Sequence, residues 1–274
     1  ISHAVTTSNA AINLTADTMS FTGSMSNGSG PINLTTVTPS RGISIGAGTT
    51  ANTLGLSVAA LNTMTSSGTL TIGDTAHAGT IVTDGSVTGV TGLTGNWVLQ
   101  TAGGNITLNN AVTTPANLTL STTGGGATTG SVNGTGALTV GTAGANSLIV
   151  NAGAGVNLSN VGNLANVISL TNSTSGNISF NNNRDMTLSG SNLSAGGTFS
   201  VVNATGTLTV TGPVSTASGA ADILLQTPGT LAINDLVTAG GTGNVSLVST
   251  GGQISQNSSG VISGSLLTTS SVSG

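Results

Sequence analysis

Residues 96–125 read NWVLQTAGGNITLNNAVTTPANLTLSTTGG, and residues 222–252 read DILLQTPGTLAINDLVTAGGTGNVSLVSTGG. Both carry the same order of apolar-x-apolar pairs, turn residues and an LQT signature, at an offset of about 126 residues. Trp97 aligns with Ile223, Leu108 with Ile233 and Leu120 with Leu247. Such recurrence marks a stack of similar coils. A unit too small to bury its own apolar face is stable only against neighbours like itself.

Outward from these copies, the same unit runs through the chain. It appears as INL at 12–14 and 32–34, LTI at 70–72, ITL at 106–108, LTV at 138–140, ISL at 168–170 and ISF at 178–180. Alternation over three to five residues is the strand signal, and Gly, Asn, Ser and Pro cut each strand short. Met186 to Leu208 and Leu208 to Leu231 give a coil of roughly 20–24 residues holding two or three strands, within the solenoid range. No window carries a helical stripe, and Glu and Lys are missing altogether. The stretch 53–62 (TLGLSVAALN) reads as a strand LGLSV followed by a turn. Residues 80–95, TIVTDGSVTGVTGLTG, are the weakest part of the pattern and read as a looser coil or a protruding loop.

The expected fold is therefore all-β: a right-handed parallel β-helix of about a dozen coils, essentially without α-helix. One coil offers perhaps four to six inward aliphatic side chains, worth about 1.5–3 kcal/mol each when buried. Ordering its backbone costs roughly 1–2 kcal/mol per residue, so a lone coil is unstable and a stack is not. The chain, 1–274, reads as one continuous solenoid, a segment of a longer repeat array.

Composition narrows the function. Only 3% of residues are charged, namely Arg41, Arg184 and six Asp, against about 25% in an ordinary soluble domain. Two Arg cannot form the basic stripe that nucleic acid or anionic lipid requires. The chain has no Cys, which removes disulfides and thiolate chemistry. No apolar run is long enough to span a membrane.

The G-[TA]-L-T-[IV] strands (68–72, 136–140, 206–210), the G-N-[IV]-x-L strands (104–108, 243–247), the LLQT and GGQISQ turns, and SGTLTIGDTAHAGTI at 67–81 resemble repeats of filamentous haemagglutinin-type adhesins. These are bacterial exoproteins of the two-partner secretion and autotransporter-passenger kind. The resemblance covers nearly the whole chain. It implies a right-handed parallel β-helix, export as an unfolded chain, and a place in an adhesive or biofilm shaft at the bacterial cell surface.

Few residues stand apart from the repeat. Asp74 and His77 form an Asp-x-x-His pair within GDTAH, but no second His, Glu or Lys lies in that coil, so the pair reads as a structural turn. Residues 181–185 (NNNRD) are the most polar run and read as a solvated turn with an Arg184–Asp185 contact, or as a ligand-contacting loop. Trp97, the single Trp, reads as an interior residue by alignment with Ile223, with sugar stacking as the other role open to it. Trp97, Arg184 and Asp185 are the candidates for surface contact. The six Asp are scattered, with Asp222 and Asp235 nearest in sequence; carbohydrate cleavage needs paired carboxylates in one groove. Roughly a dozen Asn-x-Ser/Thr sequons, such as Asn105, Asn117, Asn177 and Asn244, follow from the strand code itself. Thr-x-Thr pairs beginning at Thr36, Thr63, Thr69 and Thr207 lack the fixed spacing of an ice-binding ladder. No catalytic residue, metal ligand or cofactor site is assigned.

The functional expectation is a non-enzymatic shaft segment of an extracellular bacterial adhesin or filament. Its expected partners are neighbouring rods or host and matrix glycans. The alternative is a filament subunit that stacks head to tail, and a remote third reading is a glycan-binding or glycan-degrading β-helix.

Overall fold

The computed structural model describes residues 1–48, 51–142 and 144–273. The fold is all-β, a parallel β-solenoid of about a dozen turns. Two compact units, Ile1–Thr142 and Ala143–Gly274, divide the chain.

In the first unit one sheet stacks the strands Ile12–Thr15, Ile32–Thr35, Leu70–Gly73, Trp97–Gln100 and Leu118–Ser121 in parallel register. Identical faces then superpose, because the side-chain period of a strand is two. Ile12, Ile32, Leu70, Trp97 and Leu118 form one interior column, and Leu34, Ile72, Leu99 and Leu120 fill the next, all essentially buried. A second sheet carries Ile43, Ile81, Ile106 and Val132 inward. In the second unit the columns are Leu148–Ile168–Leu188–Val210–Ile233 and Val156–Ile178–Phe199–Ile223–Val245.

The echoed stretches now have a structural meaning. Trp97 and Leu99 pair with Leu118 and Leu120, and Ile223 and Leu225 pair with Val245 and Leu247. Each copy is one full coil plus the strand that closes it onto the next. The strands between, Ile106–Leu108 with Val112–Thr114 and Leu231–Ile233 with Val237–Thr238, are the other sides of that coil.

Two segments differ in detail from the sequence pattern. Residues 80–95 are a genuine coil rather than a protrusion. Ile81–Thr83 joins the second sheet, Val87 bridges to Val112, Leu93 bridges to Ser66, and both apolar side chains are buried. The other is a reversal of stacking order. The strand Gly42–Gly46 pairs with Ile81–Thr83 on one side and with Thr53–Ser57 on the other. The chain thus returns to the near side of a strand it has already made. It then leaves through a single helical turn, Val58–Leu61, capped by Ser57, whose Oγ accepts from the Ala60 N–H at 3.1 Å. The next strand, Met64–Thr65, resumes the stack on Met25–Ser26. This excursion stretches one coil well beyond the usual length.

Inside the corners of the second unit lie buried amides. Asn172, Asn182, Asn192 and Asn203 are 0–2% exposed. Asn172 Nδ2 donates to Asn192 Oδ1 at 2.9 Å, and Asn182 Nδ2 to Asn203 Oδ1 at 3.3 Å. Thr216 and Thr227 take over the same positions one coil on, and Ser249 follows Thr227. Where a strand turns a corner its carbonyls lose their ladder partners, and these amides satisfy them: Asn192 Nδ2 reaches the carbonyls of Thr198 (2.8 Å) and Gly176 (3.1 Å). Replacing Asn192 by Leu leaves those groups unpaired, at about 1–3 kcal/mol apiece. Asn192→Leu is expected to lower the melting temperature in calorimetry, and Asn192→Thr to lower it less, as Thr216 fills the equivalent place.

Candidate functional site

Asn and Asp residues that precede strands share one geometry. Asn96 Oδ1 accepts the backbone N–H of Asn117, Asn105 that of Ser131 and Asn177 that of Thr198. Asp185 does the same for Thr207 and Asp222 for Asn244, both at 2.7 Å, and Asp17, which follows the strand Ile12–Thr15 rather than preceding one, accepts from Thr38 at 2.9 Å. The acceptor reaches across one coil, 21–22 residues in most cases and 26 for Asn105. Each thus staples a coil to its successor. The remaining carboxylates are also hydrogen-bonded: Asp84 by the Ser44 hydroxyl (2.7 Å), Asp235 by the Leu236 N–H (2.7 Å) and Asp74 as below. Asp222 and Asp235 flank strands of different sheets, Ile223–Thr227 and Leu231–Ile233, so they do not stack into a carboxylate pair.

The candidate surface contacts occupy distinct places. Trp97 is 2% exposed, in the interior column between Leu70 and Leu118, so its ring is not available for stacking on a sugar. Arg184 and Asp185 part rather than meet. Arg184 Nη1 donates back to Asn166 Oδ1 at 3.0 Å, while Asp185 Oδ1 accepts forward from the N–H and hydroxyl of Thr207. The adjacent Asn182 is fully buried, so the polar run at 181–185 is not a wholly solvated turn; its amide is the corner plug of that coil. His3 lies exposed at the first coil, with Nδ1 3.1 Å from the Ser2 hydroxyl.

Most of the sparse charge in the first unit gathers at one corner. Asp17, Arg41, Asp74 and His77 come from three successive coils. Asp17 is held by Thr38, through the backbone N–H (2.9 Å) and the hydroxyl (2.7 Å). Those two donors, joined by the charge of Arg41, hold its carboxyl below the usual carboxylate range. Asp74 Oδ2 accepts from the Thr35 hydroxyl at 2.9 Å, and Oδ1 from the Ala76 N–H at 2.7 Å, which makes the expected turn. His77 is 1% exposed. Its Nδ1 lies 3.2 Å from Thr36 Oγ1, whose own proton goes to the Thr38 carbonyl at 2.9 Å. The imidazole therefore donates from Nδ1, and Nε2 is buried without a close hydrogen bond among the described residues.

In sequence this corner was hidden. The partners of Asp74 and His77 are Thr35 and Thr36, 39 and 41 residues away, because the excursion through Thr53–Leu61 lies between them. A period of 20–24 residues aligns Asp74 with the excursion instead. Beside the corner the outer face of the first sheet sinks into a groove of about 350 Å³, walled by Asn33, Thr35, Gln100 and Asp74 with Thr71 and Gly73 at its floor. Among the described residues no three His, Asp, Glu or Cys side chains gather to hold a metal ion. No helix among the described residues is long and apolar enough to cross a membrane.

No family model, curated protein or solved structure matches the chain.

Burial pushes the His77 pKa below 6.5, opposed by the charge of Asp74 and the Thr80 carbonyl. A base whose pKa falls on folding favours the unfolded chain once that chain takes up the proton. Stability is therefore lost as pH falls below about 6.5 towards the lower folded value. Asp17 adds a second loss below 3.8, since its lowered folded pKa stabilises only above that range. Thermal melts at pH 7 and pH 5 should show a drop that His77→Gln reduces, with the Asp17 effect confined to stronger acid.

Proposed function

We propose that this chain is a shaft segment of a secreted bacterial surface adhesin, a stiff spacer whose uncharged flanks contact glycans or neighbouring shafts. One observation carries the reading: Asp and Asn side chains at the ends of strands are spent on construction. The carboxylates of Asp17, Asp185 and Asp222 and the amides of Asn96, Asn105 and Asn177 bind the backbone of the following coil. The resemblance of the strand and turn motifs to filamentous haemagglutinin-type repeats supports the same reading. Residues left on the outer faces are mainly Ser, Thr and Asn, whose desolvation costs far less than that of ions.

Non-ionic contact has a distinctive salt dependence. Beads coated with the full chain should be retained on immobilised polysaccharide or on a host-cell surface. Retention should be nearly unchanged between about 0.1 and 1 M salt, where the screening length shrinks from about 10 to 3 Å. Loss of retention with salt would sink the uncharged-contact model. Release of reducing ends from the polysaccharide would identify a glycan-degrading enzyme, and fibres in electron micrographs at high protein concentration would favour the filament subunit.

A further inference from the structure

On the outer face of the first sheet, register places Asn13, Asn33, Thr71 and Val98 in one column, while Thr15 paired with Thr35 and Gly73 paired with Gln100 line a single groove as the second. The second column has a gap at Gly73. The gap is obligatory, because Gly73 has φ +79° and a Cβ there would run into the Gln100 carbonyl. Strands lie about 4.8 Å apart, so Thr35 and Gln100, one strand to either side, stand about 10 Å apart across an empty place. Asp74 follows the gap directly and lines the same groove.

The walls of this notch are set by the fold, and its hydrogen-bonding groups are partly unspent. Thr35 is fixed by its bond to Asp74 Oδ2, and Asp74 is fixed again by the Ala76 N–H. Each carboxylate oxygen keeps a second lone pair. Asn33 Nδ2 donates to Asn13 Oδ1, which leaves the Asn33 carbonyl as an acceptor and the Asn13 amide as a donor. The Gln100 carboxamide and the Thr71 hydroxyl have no side-chain hydrogen bond among the described residues. The notch therefore presents paired donors and acceptors about a space of one ring, with a single carboxylate and no cation on its lining. Polyols suit such a site, since adjacent hydroxyls both donate and accept. Anionic sugars do not, because Asp74 repels them.

We propose that the Gly73 notch binds one neutral sugar unit of a glycan chain, with Asp74 accepting from two of its hydroxyls and Gln100 and Asn33 closing on either side. This deepens the shaft reading and rests on its glycan contact. Retention of a coated bead by a single shallow subsite per chain follows from multivalency.

Saturation-transfer NMR on the full chain, with a panel of neutral methyl glycosides, tests the site. At least one should give a signal that falls at least fivefold in Gln100→Ala and in Asp74→Asn. It should persist in Asp235→Asn and be absent for sialic acid and sulfated glycosides. Circular dichroism melts matching the parent chain show that Gln100→Ala, the half-exposed member, is folded. An array carrying exopolysaccharide fragments beside glycoprotein-derived oligosaccharides then separates the two sources of the unit. The proposal is overturned by silence from every neutral glycoside, by a signal indifferent to Gln100→Ala, or by calcium alone perturbing the Asp74 and Gln100 resonances while the sugars do not. Beads still retained under any of those results would leave the shaft reading standing without the notch.

Discussion

Every strand in this protein depends on the coil beside it. A regular coil of a parallel β-solenoid has no ladder of its own, so the N–H groups of its strands find their acceptors one coil away. That dependence explains the side chains as well. Asn or Asp placed just before a strand extends the ladder by one bond, where the regular pattern begins. Amides turned inward at the corners extend it again, where the strand bends away from its partner. The scarcity of Lys, Glu and Arg follows from the same economy. A surface built from coil-to-coil contacts favours short polar groups that can reach a neighbouring backbone only a strand spacing away.

The stacking reversal at Thr53–Leu61 shows how much one irregularity changes. It places a strand on the near side of Gly42–Gly46 and lengthens a coil, without disturbing the columns of the first sheet. Its cost is conformational, since the added residues must be ordered. Burial of Leu54, Leu56 and Leu61 offsets that cost. Its consequence is chemical, because the corner after the excursion brings Asp74 and His77 against Thr35 and Thr36. The buried imidazole there resists its charge near neutral pH, because burial lowers its pKa. An outward-facing groove lies beside it. Stability of the first unit and presentation of its polar face are thus set by the same few residues.

The repetition of short apolar-x-apolar strands was enough to establish the class of fold, because a period of two with inward Ile, Leu and Val admits only sheet, and coils that small must stack. Residues 96–125 and their echo were readable as a building unit, and the structure identifies that unit as a full coil. The strand at Thr53–Ser57 and the interior place of Trp97 were likewise present in the pattern. The side of the sheet on which Thr53–Ser57 lies was not. Strand propensity is local, whereas stacking order is decided by which ladder remains open when the strand arrives.

The sequence by itself determined the coil grammar and the uncharged surface, since both are sums over local residue choices. Tertiary structure alone decided which polar residues face inward. Asn182 lies buried within the most polar run of the chain, because a corner carbonyl needs a partner there more than the amide needs water. It alone decided that Arg184 and Asp185 turn to opposite neighbours, since the nearest donors and acceptors belong to the coils before and after. It also decided that Asp74 and His77 meet residues some forty positions earlier, a distance set by the length of the inserted strand and helical turn rather than by the repeat.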